Sequence, residues 1–172
     1  RPARCIPLPP ACASATLLTV RRDCFGQEVP VDRSLAGQND ASRSRLRAFV
    51  ARRSDEDLAR PLGNGWTVAA VLAHLAFWDR RAARLLDRWA RTGVYPSPAD
   101  ADALNDALLP QWRLLPPRAA ADEALTSAEE VDAKIAALSA EMARAVAEAR
   151  SIALDRSEHR NEHLDELERL FP

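Results

Sequence analysis

From Ser34 onward, apolar side chains recur every three or four residues, the period of a helix with one buried face. The first segment of this kind runs roughly from Asp40 to Arg53, with Leu46, Phe49 and Val50 on one face, and Pro61, Gly63 and Gly65 mark the loop after it. The second and longest opens at Thr67, a good N-cap, and continues to Gly93, a good stop. Its stripe is Val68, Val71, Leu72, Leu75, Trp78, Ala82, Leu85, Leu86 and Trp89. Ser97-Pro98-Ala99-Asp100 has the order of a helix start and predicts a short helix ending near Pro110. After Pro116-Pro117 a long segment reaches about Arg150, stepping through Leu125, Ala128, Val131, Ile135, Leu138, Met142 and Val146, with a kink expected near Ser127. The last segment starts at Asp155, which with Glu158 has a capping-box spacing, and carries Leu164, Leu167, Leu170 and Phe171.

Four principal helices and no strand signal predict an all-α four-helix bundle over residues 34–172, up-down-up-down or with one crossover. A chain of 172 residues, 47% apolar, suits one such core. Residues 1–33 do not share the pattern. They hold all three cysteines, Cys5, Cys12 and Cys24, at spacings that match neither a disulfide framework nor a zinc knuckle. Pro7, Pro9 and Pro10 interrupt what would be the apolar part of a secretory signal, so a disordered extension is expected there. The cysteine-free remainder fits a reducing, cytoplasmic setting. A formal net charge of −1 provides no field to attract nucleic acid or anionic membranes, and no apolar run is long enough to span a bilayer.

Chemistry concentrates in the three histidines. His159 and His163 are four apart on one helix, so both imidazoles leave the same face as Leu167 and Leu170. His74 lies three residues after Val71 and four before Trp78, on the inward stripe of its own helix. If the second and fourth helices run parallel, His74 sits roughly 10 Å from its helix start and His159 and His163 roughly 6 and 12 Å from theirs, so the three depths agree. A lone inward histidine is ordinarily a hydrogen-bonded core residue. Three at matched depth, with none elsewhere, point to a divalent ion such as zinc, nickel or iron with an open fourth position. Asp79, Glu158 and Glu162 are candidates to orient the imidazoles. Arg52, Arg53, Arg80 and Arg81 could grip an anionic cofactor, though such arginines are mostly the polar faces of helices. No Gly-x-Ser-x-Gly elbow occurs, and Gly63-Asn64-Gly65 lacks the rest of a dinucleotide loop.

The run Trp66-Thr67-Val68-Ala69-Ala70-Val71-Leu72-Ala73-His74-Leu75 resembles the Trp-Ser-x-x-x-x-x-x-His-Leu opening of the second helix in DinB-like proteins. His159-Arg160-Asn161-Glu162-His163-Leu164 is similar to their terminal His-x-x-x-His-Leu. The resemblance spans about residues 34 to 172 and implies a four-helix bundle with a three-histidine metal site, carried onto His74, His159 and His163. Relatives include transferases that use bacillithiol or mycothiol, and mycothiol-dependent maleylpyruvate isomerase. The isomerase-type domain has a glutamate where this chain has His159, which argues against that branch.

Three expectations follow. In the first, the ion activates a low-molecular-weight thiol such as mycothiol or bacillithiol toward a small electrophilic substrate. In the second, the ion only joins two helices of a non-catalytic, stress-associated bundle. In the third there is no metal, and residues 118–150 form a surface for a partner helix or a second copy, which leaves a homodimer open.

Overall fold

The computed structural model describes residues 33–171. The expectations for residues 1–33, cysteines included, lie outside the described residues except at Arg33, where the first helix begins. Among the described residues, seven helices and one small hairpin occur in the order α1 (Arg33–Ala51), α2 (Asp55–Ala59), β1 (Pro61–Gly63), β2 (Trp66–Thr67), α3 (Val68–Thr92), α4 (Ala101–Trp112), α5 (Pro117–Ala136), α6 (Ala140–Ala149) and α7 (Ser157–Glu168). Helices α1, α3, α5 and α7 form the four-helix bundle. No helix among the described residues is long and apolar enough to cross a membrane.

Helix α3 is bounded as its sequence predicts. The Thr67 hydroxyl accepts from the Ala70 amide at 3.1 Å, and Gly93 closes the helix at φ 78°. Other boundaries depart from the expectation for local reasons. Helix α1 begins at Arg33 and not near Asp40, because its first turns bury the polar Asn39 and Ser42, which an apolar pattern passes over. Helix α4 runs through Pro110 to Trp112, so the proline removes one amide from the last turn without ending the helix. The long fourth segment is unbroken at Ser127, whose hydroxyl donates back to the Glu123 carbonyl at 2.7 Å. It breaks at residues 137–139, where Ser139 caps α6 through the Met142 amide. At the start of α7, Asp155 accepts from the Ser157 amide and hydroxyl, while Glu158 is exposed and supplies no reciprocal arm of a capping box. Leu170 is 37% exposed, so the apolar stripe of α7 ends at Leu167. The two strands of the hairpin are too short to carry a period of two. They pair across Gly63-Asn64-Gly65, all three at positive φ.

Ion pairs between helices show the path of the chain. Along α3 and α5 they advance together, as Arg80–Glu123, Arg84–Glu130 and Asp87–Lys134, so these helices are parallel. Between α1 and α5 they run in opposite senses, as Arg43–Asp132 and Arg47–Glu129. Asn39 reaches the start of α7 and Arg45 its end, so α1 and α7 are parallel. Asp79 meets Arg156 while His74 meets His163, so α3 and α7 are antiparallel. The strict up-down-up-down path is therefore not the one taken. The single crossover is used instead, between α3 and α5, and it carries α4 back alongside α3, where Trp112 packs on Ala69, Ala70 and Ala73.

The interior has three layers. At one end, Leu46, Phe49, Val50, Leu58, Val68, Leu72, Leu75, Ala124, Leu164 and Leu167 make the larger apolar cluster. At the other, Ala82, Leu85, Leu86, Trp89, Val131, Ile135, Val146 and Leu154 make a second. Between them lies a buried polar layer of Asn39, Ser42, Asp79, Asp132, Arg156 and Arg160. The histidines sit at the border of the first cluster and this layer.

Candidate metal centre

His74 is the seventh residue of α3, and His163 is followed by five residues of α7. Because the two helices run antiparallel, the histidines meet by being counted from opposite ends. The matched depths reasoned from parallel helices are replaced by this geometry. The one-face prediction for His159 and His163 holds, and both rings face His74.

The three rings form a nearly equilateral triangle. Centroids are 5.0 Å apart for His74–His159, 4.9 Å for His74–His163 and 5.0 Å for His159–His163, with interplanar angles of 68°, 79° and 73°. One ring nitrogen from each lies within 4.8 Å of those of the other two. The closest pair, Nε2 of His74 and Nε2 of His159, stands at 3.0 Å. Two nitrogens bound to one tetrahedral ion at about 2.0–2.1 Å stand roughly 3.3 Å apart, so this set fits an ion of that size. His74 is 4% exposed and His163 7%, and His159 is half-buried. Nδ1 of His74 and Nδ1 of His163 are buried and have no hydrogen-bond partner. Three imidazoles meeting in an interior with so few partners form a costly arrangement unless a cation joins them.

Electrostatics agree with that fit. Burial pushes His74 down to about 3, helped by the nearby His163 and Arg156 charges. Burial, and then the Arg156 guanidinium, hold His159 well below the ordinary histidine value, and burial lowers His163. All three are therefore neutral at neutral pH, with lone pairs available to a divalent ion.

The surroundings of His74 are aromatic. Trp66, Trp112 and Trp78 stand at ring-centroid distances of 5.7, 5.4 and 6.3 Å, each close to edge-on. The Trp78 indole donates to Asn105 of α4 at 3.2 Å, which ties the crossover helix to the site. Trp78 belongs to the stripe the periodicity picked out, and Trp66 opens the run that resembles the DinB-like motif. Trp112 and Asn105 reach the site only through the crossover, which no local pattern announces.

The acidic candidates fall differently. Asp79 is buried, but its oxygens accept from Arg156 Nε at 2.8 Å and from Arg160 Nε and Nη2 at 3.1 and 2.9 Å. It touches no imidazole directly. Its link to the site is Arg156, whose Nη2 is 3.5 Å from Nδ1 of His159, a place where metal sites commonly have a carboxylate. Glu158 and Glu162 are exposed, and Glu162 acts on His163 only through its charge. Of the arginines, Arg52 is exposed, Arg53 lies over Phe171 at 4.2 Å, and Arg80 pairs with Glu123. Arg81 alone of the four is near the site, over Trp78 at 5.7 Å, and it donates to the Ser97 and Ser151 carbonyls. Arg156 and Arg160 carry the most contacts, and their value was hidden because an arginine at a buried helix position reads as a polar face.

The second and last principal helices bring three histidines together in an all-helical bundle, and the chain's family lies in the DinB-like superfamily of metal-dependent helical proteins. Within it, the profile of the mycothiol maleylpyruvate isomerase N-terminal domain matches residues 40–167, and the chain belongs to that family. The glutamate expected in place of His159 thus does not separate this chain from the isomerase-type domain at the level of the family. Searches of curated proteins and of solved structures returned no match.

Proposed function

We propose that the protein is a metal- and thiol-dependent enzyme in which His74, His159 and His163 hold one zinc, nickel or iron ion, and a low-molecular-weight thiol is transferred to a small electrophilic substrate. The supporting observation is the near-equilateral triangle of neutral imidazoles. When bound, such an ion lowers the pKa of a thiol or water at its open position and polarises a nearby oxygen. The chain's part is to supply three neutral donors and to keep water from one side of them. The indoles of Trp66, Trp78 and Trp112 form that dry side around His74. No cysteine follows Cys24, so the bundle offers no nucleophilic thiol and the sulfur comes from a cofactor such as mycothiol or bacillithiol. The family's link with mycothiol supports the same choice. A cytoplasmic setting, where such thiols stay reduced, belongs to this reading.

Natively purified wild-type protein is expected to contain about one divalent ion per chain, and His163→Ala far less, by elemental analysis. Metal-loaded protein given mycothiol or bacillithiol and an electrophile, such as an epoxide or a chlorinated aromatic, should turn over above the His163→Ala background. Metal content equal in the two proteins would reject the site. Metal binding with a chelator-sensitive melting temperature, but no thiol binding, would leave the ion as a staple between α3 and α7.

A further inference from the structure

Helix α7 has little apolar surface with which to fix its own rotation. Among its twelve residues only Leu164 and Leu167 are buried aliphatics, and the side chain of its N-cap residue, Arg156, caps none of its amides. The N-terminal half is held by Asn39, whose Oδ1 accepts from the Arg156 and Ser157 amides, and by Arg160, 0% exposed, one residue after His159 and three before His163. The Nη1 and Nη2 of Arg160 donate to the two oxygens of Asp132 at 2.9 Å each. Its Nε and Nη2 donate to Asp79 at 3.1 and 2.9 Å. Longer bonds of 3.4 to 3.5 Å reach the Asn39 carbonyl, the Ser42 hydroxyl and the Ala128 carbonyl. One guanidinium thus binds α1, α3 and α5 at once. A planar fork accepts few orientations, so it fixes the rotation of α7 more sharply than two leucines do.

We infer that Arg160, with Asp79 and Asp132 as its two grips, is the positioning residue of the histidine triangle. A turn of α7 about its axis would move His159 and His163 together relative to His74, because residues on one helix rotate as a body. Asp79 serves both arginines of α7, Arg160 and Arg156, and Arg156 is the group beside Nδ1 of His159. The inference rests on the metal reading above and adds that the affinity of the site depends on a clamp that touches no ligand atom directly.

The test is a cobalt(II) titration of the full-length metal-free chain, read from its visible absorption bands, with folding checked by circular dichroism. Asp132→Asn keeps the shape but removes the charge, and Leu72→Ala serves as a control that weakens the core away from the clamp. Asp132→Asn is expected to bind cobalt about tenfold more weakly than wild type, at the low end of what lost supporting contacts cost a metal site, and with shifted bands. Leu72→Ala should bind with wild-type affinity and spectrum. Wild-type affinity and bands in Asp132→Asn would overturn the clamp while leaving the metal site standing. Equal weakening in both variants would also overturn it, since general loss of stability would then account for the effect. Wild type that binds no cobalt would sink the metal reading and the clamp with it. If Asp132→Asn does not fold, Ser42→Ala removes one acceptor of Arg160 and should shift the bands in the same direction, and bands identical to wild type would count against the inference.

Discussion

The larger apolar cluster and the polar layer above it are held by different physics, although the same four helices pass through both. Leu46, Phe49, Leu72, Leu75, Leu164 and Leu167 attract one another without regard to direction, and each side chain can settle by small rotations. Asp79, Asp132, Arg156 and Arg160 interact only through bonds of fixed length and angle, from which water is excluded. The apolar layer supplies affinity between helices. The polar layer selects one rotation and one depth among the many the apolar layer would accept, and the histidines lie where the two adjoin. A site that needs three nitrogens at one point has more use for the second kind of contact than for the first.

The largest effect is expected where a buried charge loses its partner. Asp79→Ala leaves Arg156 and Arg160 in the interior with only Asp132 as a counter-charge, and breaking a buried pair in this way costs about 3–5 kcal/mol. Urea denaturation of the metal-free protein should show the loss as a lower midpoint at an unchanged slope. A cost below about 1 kcal/mol would mean that water reaches the layer and that its bonds select nothing.

Leu72→Ala comes next and sharpens the contrast. Leu72 is fully buried in the apolar cluster, and removing it should cost about 2–4 kcal/mol through lost burial and the cavity left behind. Its loss should fall on stability alone. If the same variant also weakened metal binding tenfold, the two layers would not be separable and the division of labour between them would be wrong.

Most of the bundle was legible because an apolar stripe announces itself. Thr67 to Gly93 was bounded correctly from its stripe and its caps, and the spacing of His159 and His163 placed both rings on the face that does meet His74. What the stripe could not reveal was polar or non-local. The first turns of α1 bury Asn39 and Ser42, and the core-facing position of α7 beside His159 is an arginine, so both read as surface. Helix direction was equally hidden, because the residues between Gly93 and Pro116 allow a return path or a crossover by length alone. The packing of Trp112 against Trp66 and Phe77 shows which path was taken, and Trp112 carries that information only once α4 is in place.

The smallest expected effect tests whether direction or burial gives the polar layer its weight. The bond from the Ala70 amide to the Thr67 hydroxyl is as directional as any in the clamp, and it starts the helix that carries His74. Thr67, unlike Arg160, is only half-buried, so water can replace the lost acceptor. Thr67→Ala should therefore cost about 1 kcal/mol, the usual value of a helix cap, and leave cobalt affinity and bands as in wild type. Six residues of well-packed helix separate the cap from the imidazole, and the buried Val68 and Val71 hold that turn in place without it. A cost matching that of Asp79→Ala, or a shifted cobalt spectrum, would show that directional bonds position this site whether or not they are sealed from water, and burial would lose its place in the explanation.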